Sequence, residues 1–265
     1  MIAIEFSDKN PASNLIAKAL LDKYQFRRIS ESEWELEEGI CKKKVCLINC
    51  KSESILEVED FIDGAETIIV LSTHKSKINQ KIMTCHYPGN WSKAEMKGKE
   101  RTLTIANANL LKNLSIEINK ESQKIGWDFS LEADHHGPTG LSPMIFVEIG
   151  STEKEWRDER AAKSMADAVI NAICREEKYV TVAVFGGGHY PKAFNKIQLE
   201  GEYAIGHIAP KFVLDSMDEE MFRQAIEKNV DRVSKILIAK DETSAKQREK
   251  IKEFATKSEL EVETV

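Results

Sequence analysis

Residues 179–189 read YVTVAVFGGGH, a near-continuous apolar run that ends in three glycines and a histidine. Such a run predicts a strand that is buried on both faces of a sheet. Other strand-like apolar runs occupy residues 1–6, 45–48, 67–72 and 144–149. Because segments of helical periodicity separate these strands, we predict an α/β layered fold with a largely parallel sheet.

Capping signals and helical periodicity place the helices between the strands. Asn10 is followed by proline, which predicts an N-cap and a first helical residue. Two capping boxes are predicted, Thr152 with Glu155 and Ser216 with Glu219. Apolar residues at helical spacing predict helices over residues 55–61, 103–125, 152–175 and 244–257.

The composition is typical of a folded protein. The chain has 265 residues, of which 42% are hydrophobic and 31% are charged, so it has enough apolar material to fill a core. We expect a single α/β domain over residues 1–265. The net charge of -6 would by itself argue against a nucleic-acid partner, because such partners bind basic surfaces.

One segment reverses this charge balance. Residues 75–101, called here the basic arm, have little apolar periodicity, and we interpret them as a long excursion over the surface. The arm carries seven basic and two acidic residues, a local charge of +5, so the rest of the chain carries -11. Its basic residues are Lys75, Lys77, Lys81, Lys93, Lys97, Lys99 and Arg101. They predict a local contact with the phosphates of an RNA.

No segment predicts export or membrane insertion. The first residues, MIAIEFSDKN, lack the basic start and apolar run of a signal peptide, and no apolar run approaches the ~18 residues that span a bilayer. Five cysteines without a framework-like pattern favour a reducing compartment, so we expect a cytoplasmic protein. Cys41, Cys46 and Cys50 lack CxxC spacing, and alternation along a strand explains them better than a metal site.

Three loops that follow apolar strands carry histidine. They are residues 72–74 (STH), 134–140 (DHHGPTG) and 186–190 (GGGHY). Ligands of open α/β sheets bind at the carboxyl ends of the strands. If these strands are parallel neighbours, the three loops converge at one edge of the sheet. The alternatives are a pair of surface histidines in a turn and a flexible glycine exit from a strand.

The side chains of these loops allow two kinds of hydrolytic chemistry. The possible metal donors are His74, His86, Asp134, His135, Glu148 and His189, and none shows the HExxH spacing. A zinc-activated water is one option, and a histidine general base with backbone N–H groups is the other. Thr139 is a candidate hydrogen-bond donor to an oxyanion, or less plausibly a nucleophile. His207 lies among apolar residues and is either a core or a functional histidine.

Five blocks of the sequence together resemble one known family. They are residues 72–74 (STH), 86–90 (HYPGN), 135–139 (HHGPT), 146–151 (FVEIGS) and 185–190 (FGGGHY). In this order they resemble the archaeal and plant-type D-aminoacyl-tRNA deacylases. The resemblance implies a three-layer α/β/α fold with a mixed sheet, similar to phosphorylases and peptidyl-tRNA hydrolases. It also implies hydrolysis of the ester between a D-amino acid and the 3′ end of tRNA, with zinc as cofactor, which recycles mischarged tRNA.

The resemblance and the loop chemistry together assign the candidate residues. The catalytic candidates are His135, His136, Thr139 and His189. The zinc-ligand candidates are His74, His86, His135, Glu148 and His189. The substrate-binding candidates are Gly137, Pro138, Gly186, Gly187, Gly188 and Tyr190.

We expect the partner to be the acceptor end of D-aminoacyl-tRNA, contacted by the basic arm, with no membrane and no obligate protein partner. Two other functions are consistent with the same residues. One is a metal-dependent hydrolase or phosphorylase-like enzyme that acts on a small molecule, and the other is a non-catalytic tRNA-binding protein.

Overall fold

The computed structural model describes residues 1–51, 64–94 and 96–265, so the predicted helix over residues 55–61 lies outside the described residues. The chain divides into two compact units. Unit 1 comprises residues 1–85, 113–130 and 140–176, and unit 2 comprises residues 86–112, 131–139 and 177–265. We expected a single domain over residues 1–265, and that the two units form one domain stays a prediction.

Strands and helices are numbered in chain order. The strands are β1 (Ile2–Phe6), β2 (Phe26–Arg28), β3 (Glu33–Leu36), β4 (Val45–Asn49), β5 (Thr67–Lys75), β6 (Ile82–His86), β7 (Gly89–Asn90), β8 (Thr102–Leu103), β9 (Asp128–Leu131), β10 (Met144–Ser151), β11 (Val180–Phe185), β12 (Tyr203–Ala209), β13 (Lys235–Ile238) and β14 (Glu261–Thr264). The helices are α1 (Pro11–Lys23), α2 (Ala108–Lys124), α3 (Glu153–Trp156), α4 (Glu159–Cys174), α5 (Lys192–Leu199), α6 (Glu219–Glu227) and α7 (Ala245–Lys257), with a 3₁₀ helix at Lys211–Val213.

Unit 1 is built on a mixed sheet of eight strands in the order β2-β3-β4-β1-β5-β10-β6-β9. The centre is parallel, since β1 pairs with β4 and β5, and β5 pairs with β10. Strands β2, β3 and β4 are antiparallel at one side. Helix α1 packs against α4 and the central strands. These features confirm the predicted α/β class, a three-layer α/β/α fold with a mixed sheet.

Unit 2 contains a second sheet of four strands in the order β12-β11-β13-β14, and every pair in it is parallel. The run quoted at the start forms β11, whose buried residues include Phe185. The Phe185 ring stacks on Phe222 of α6 with centroids 5.2 Å apart. Helix α5 and strand β12 have no counterpart among the elements that the sequence predicts.

The helix start predicted at Thr152 is confirmed, since Thr152 is the N-cap of α3, but its side chain donates to Glu155 and makes no capping bond. The helix predicted to run on to residue 175 is interrupted, because α3 ends at Trp156 and α4 begins after Asp158, which accepts the N–H groups of Arg160 and Ala161. The second predicted start is wrong. Helix α6 begins after Asp218 rather than Ser216. An aspartate next to the first turn reaches the exposed N–H groups directly. The helix predicted from residue 103 begins at Ala108, because Thr102–Leu103 forms β8.

The basic arm is not the continuous surface excursion that we predicted. Its residues 82–86 form β6, and every residue of that strand is buried. The short apolar run IMTCH lies between lysine-rich segments, so the average polarity of residues 75–101 does not reveal it. The basic side chains themselves are exposed, as predicted.

A disulfide in unit 1 joins Cys41 to Cys174 at the end of α4. The prediction of an alternating strand is wrong for Cys41 and Cys50, which both lie outside the strands, whereas Cys46 lies on β4 and is buried. An odd number of cysteines alone was thus a weak indicator of the redox compartment. Over the described parts of the chain, no helix has the length and apolar character needed to cross a bilayer.

Candidate active site and metal centre in unit 2

Four histidines gather in unit 2. His86 ends β6, His135 and His136 follow β9, and His189 follows the glycines after β11. The ring centroid of His135 lies 4.1 Å from His86, 4.4 Å from His136 and 4.7 Å from His189. We predicted that three histidine loops converge at one edge of a sheet. Two of them, the loops that carry His135 and His189, meet in unit 2, whereas residues 72–74 belong to unit 1. The predicted common edge is wrong for these two loops, because β9 and β11 belong to different sheets.

A sharp turn allows both adjacent histidines to face the same cluster. His136 has a φ of +44°, in the left-handed region, and the Gly137–Pro138 bond is cis. The His136 carbonyl accepts the Gly89 N–H at 2.8 Å, which fixes the turn. Neighbouring residues in a strand would point to opposite faces, so this turn brings the His136 ring to 4.9 Å from His86.

A buried glutamate completes the cluster. Glu132 is fully buried, and its Oε2 lies 2.7 Å from His189 Nε2 and 3.6 Å from His135 Nε2. Sequence reasoning missed Glu132 because it occupies an apolar, strand-like stretch. The available signal was its position three residues before the histidine pair, inside a run that otherwise predicts burial.

Backbone carbonyls set the tautomers of three of these histidines. The Nδ1 atoms of His86 and His135 lie 3.0 Å from Tyr87 O and 2.8 Å from Ala133 O. His136 Nδ1 makes the same kind of bond to Gly137 O. A carbonyl oxygen only accepts, so each Nδ1 carries a proton, and in the neutral form of each ring the lone pair is on Nε2. Metal-binding histidines are oriented in this way by outer hydrogen bonds.

The donor atoms form two overlapping sets that suit zinc. One set is His86, His135 and His136, and the other is Glu132, His135 and His189; within each, the ligand atoms lie within 4.8 Å of one another. Three imidazoles, or two imidazoles with a carboxylate, are common ligands of catalytic zinc. Burial, followed by the charge on His86, holds the pKa of His135 well below its usual range. His135 is therefore neutral near pH 7, as a ligand must be.

Hydrogen bonds between Asp134 and strand β12, which includes His207, hold the start of the histidine loop. Asp134 Oδ2 lies 2.7 Å from His207 Nδ1, and its Oδ1 accepts the Ile208 N–H at 3.1 Å. His207 Nε2 donates to Lys228 O at 2.9 Å. Burial raises the pKa of Asp134. His207 is thus a satisfied core histidine, and Asp134 orients the loop through these bonds.

The basic arm packs directly on the histidine loop. A Cβ atom added to Gly137 would lie 2.5 Å from Gly98 N, and one added to Gly98 would lie 3.0 Å from Gly137 Cα. Both positions therefore require glycine. The Lys99 N–H donates to Thr139 Oγ1 at 2.8 Å, so the arm also holds this predicted catalytic threonine of the histidine loop.

The remaining predicted side chains of unit 2 differ in their surroundings. The Tyr190 ring lies 4.8 Å from His189. Gly186 and Gly187 both have positive φ angles, so the glycine run forms the turn after β11. Lys97 and Lys99 are exposed at the tip of the arm.

Two predicted ligands belong to unit 1. His74 lies within β5 rather than just after it, and Glu148 lies on β10. His74 Nδ1 is 3.3 Å from Glu148 Oε2, and both side chains are buried. Their role as metal ligands stays a prediction.

Known proteins resemble this chain in both fold and sequence. The crystal structure of a conserved protein of unknown function, AF0625, covers 100% of this chain and 95% of its own, with a TM-score of 0.86 and 27% identity. A family model for D-aminoacyl-tRNA deacylase matches residues 61–263.

Curated relatives agree with that match. A D-aminoacyl-tRNA deacylase of Korarchaeum cryptofilum is 31% identical over 252 residues, covering 94% of this chain and 88% of the relative. One of Saccharolobus islandicus is 38% identical over 204 residues, covering 74% and 82%. The chain therefore belongs to the D-aminoacyl-tRNA deacylase family, as its sequence blocks predicted.

Proposed function

We propose that this protein hydrolyses the ester between a D-amino acid and the 3′ end of tRNA, releasing both for reuse in the cytoplasm. The family relationship supports the substrate class. The observation that carries the chemistry is the histidine cluster around His135, in which backbone carbonyls fix the tautomers and Glu132 contacts His189.

Zinc is the proposed cofactor, held by His86, His135 and His136. Backbone carbonyls bond the Nδ1 atoms of all three, so their Nε2 atoms would be the ligands, and the donor atoms of the three residues lie within 4.8 Å of one another. When bound, zinc polarises a carbonyl and lowers the pKa of water. In this assignment, His136 is a ligand rather than a base.

The Glu132–His189 pair is the proposed acid–base group. His189 Nε2 lies 2.7 Å from the Glu132 carboxylate, and the negative charge of that carboxylate favours a proton on Nε2. In the proposed mechanism Nδ1 is therefore the proton acceptor. His189 is also partly exposed, so it is accessible to a substrate. Its Nδ1 takes a proton from water as the water oxygen attacks the ester carbon. The resulting imidazolium returns that proton to the departing ribose oxygen.

Polar groups near the loop stabilise the charge that develops on the ester oxygen. The Thr139 hydroxyl, fixed by Lys99, is the proposed donor to the oxyanion. The two enantiomers of an amino acid carry the same groups, so selection depends on steric fit and on polar groups left unpaired by the wrong isomer. The exposed lysines of the arm provide salt-sensitive phosphate contacts.

The decisive experiment compares D-tyrosyl-tRNA and L-tyrosyl-tRNA as substrates, with the enzyme as purified, after chelation and after zinc is restored. We expect hydrolysis of the D-ester only, loss of activity on chelation and recovery with zinc. Hydrolysis of neither ester, with stoichiometric tRNA binding, would instead support a binding protein. D-ester hydrolysis that chelation leaves unchanged would retain the activity and refute the zinc assignment.

A further inference from the structure

A pocket of about 490 Å³ lies in unit 2 beside the glycine run, with Gly187 and Gly188 in its wall. This volume is in the range of pockets that bind small molecules and cofactors. We propose that it binds the terminal adenosine of tRNA, the nucleoside that carries the ester. The inference deepens the proposed function and rests on it.

An exposed aromatic ring supplies one side of the pocket. Phe212 lies on the 3₁₀ helix Lys211–Val213, and 71% of its surface is exposed. A phenyl ring in this position offers a flat face for a nucleobase, and base–aromatic stacking contributes about 1–3 kcal/mol per base. Lys211, next to it in the wall, is also exposed and provides a cation for the preceding phosphate.

Carboxylate oxygens supply the acceptors that a nucleoside requires. Glu242 Oε2 is buried and, within the described ranges of the chain, has no hydrogen-bond partner. Asp215 Oδ1 accepts from Gln247 Nε2 at 3.1 Å, which orients that carboxylate in the same wall. Adenosine presents hydrogen-bond donors at its exocyclic amine and its ribose hydroxyls. Bonds from such donors to a carboxylate are of the stronger, charge-assisted kind.

The glycine run leaves room for this ligand. A Cβ on Gly187 would lie 3.2 Å from Glu242 Oε2, so a side chain there would crowd the acceptor. A Cβ on Gly188 would meet no atom within 4 Å, which places that residue at the open part of the wall. These two glycines therefore differ: one allows the acceptor to approach, and the other faces open space.

The position of the pocket along the chain fits an ester-bearing nucleoside. Gly188 in the pocket wall immediately precedes the proposed base, His189, and consecutive Cα atoms are about 3.8 Å apart, so the pocket wall and the base belong to one short segment. An aromatic amino acid could also stack on Phe212, but it would fill less of this volume than a nucleoside. The lining holds three carboxylates, Asp215, Asp241 and Glu242, and one cation, Lys211. This negative balance disfavours the carboxylate of a free amino acid and favours the hydrogen-bond donors of the nucleoside.

The test measures adenosine 5′-monophosphate binding by calorimetry and the KM for D-tyrosyl-tRNA in the full-length protein. For Phe212→Ala we expect both Kd and KM to rise about tenfold, the effect of one lost stacking contact, with kcat unchanged. Phe212→Tyr should retain wild-type values, and Glu242→Gln should weaken binding. Val230→Ala is the matched control, because Val230 is an exposed apolar residue of the same unit outside the pocket.

The outcomes separate this inference from the proposed function. If the wild type hydrolyses the D-ester and Phe212→Ala leaves both constants unchanged, the pocket assignment is wrong and the activity stands. If adenosine monophosphate binds through Phe212 but no ester is hydrolysed, the pocket binds a nucleotide in a protein with another activity, and its assignment to tRNA is wrong. Binding of free D-tyrosine that Glu242→Gln abolishes, without nucleotide binding, would replace the nucleoside with the amino acid.

Discussion

His74 and His135 are both histidines beside a glutamate, one in each unit. His74 lies within a strand, and Glu148 is 3.3 Å from its Nδ1. His135 lies on a loop, Glu132 is 3.6 Å from its Nε2, and three other imidazoles surround it. In unit 1 a buried imidazole faces a buried carboxylate, whereas in unit 2 the added imidazoles give two sets of metal donors. The difference lies in the neighbours, since the residue types are the same.

Replacing each histidine with alanine should give the largest difference between the two regions in zinc content and activity. We expect His135→Ala to lose bound zinc and to lower kcat/KM for D-tyrosyl-tRNA by roughly 10³-fold or more, because a ligand common to both donor sets is removed. His74→Ala should retain one zinc per chain, measured by atomic emission. If His74→Ala also loses zinc, the ligand set proposed in unit 2 must be extended to His74.

A covalent link in unit 1 provides the second contrast. The Cys41–Cys174 disulfide spans 133 residues of sequence, and loss of such a link lowers the free energy of unfolding by about 2–5 kcal/mol. Cys174→Ser should show this loss in denaturant titrations while activity at 25 °C is retained. Cys41→Ser should give the same loss, and the double variant no more than either single one. Additive losses would contradict a bond between these two residues.

A buried carboxyl group in β1 should make unit 1 sensitive to pH. Burial raises the pKa of Glu5 to about 8, and neither of its side-chain oxygens has a hydrogen-bond partner in the described segments. The folded state therefore keeps the proton while the unfolded chain releases it near pH 4.5, so stability falls as pH rises from about 4.5 to 8.

Glu5→Gln should remove that pH dependence. At pH 8 we expect the variant to be more stable than the wild type by roughly 2–4 kcal/mol, with little difference at pH 4. Thermal unfolding at both pH values measures the effect. Equal melting temperatures at pH 8 would mean that Glu5 is already ionised in the folded protein.

The smallest expected effect is on the salt dependence of tRNA binding, and it differs between two basic residues of the arm in unit 2. Lys93 is exposed, whereas Arg101 forms an ion pair with Asp218. Lys93→Ala should reduce the slope of log Kd for tRNA against log salt by about 1, and Arg101→Ala should reduce it by less. Filter-binding titrations from low to moderate salt measure both slopes. Equal reductions would show that Arg101 leaves Asp218 to bind RNA.

The sequence predicted those parts of the site that are chemically distinctive. Residues 135–139 and 185–190 were identified because histidine, glycine and proline rarely cluster by chance. Glu132 was missed because a single carboxylate in an apolar run looks like ordinary strand alternation. The Cys41–Cys174 pair was out of reach for another reason, since its partners are far apart in sequence and meet only through the fold.

Strand assignment showed the same limit. Strand β11 was predicted from its own apolar run, which is long and has clear boundaries. Strand β6 has only five residues between polar segments, and its place in the sheet depends on β10 and β9, which come much later in the chain. Local sequence patterns therefore predict strands with a long apolar run of their own. Strands whose pairing partners are distant in sequence can be assigned only from the structure.

The close contact between Gly98 and Gly137 limits how the enzyme could be redesigned. A library intended to change tRNA preference can vary the exposed side chain of Lys99, whereas Lys97 has a φ of +62°, in the left-handed region, which restricts its replacements. Residue 98 is different, because any side chain there would push against Gly137 and displace the turn that holds His136. Under the proposed function, this backbone contact links the arm that would bind tRNA to the turn of the proposed zinc site, so directed evolution of either must keep glycine at both positions.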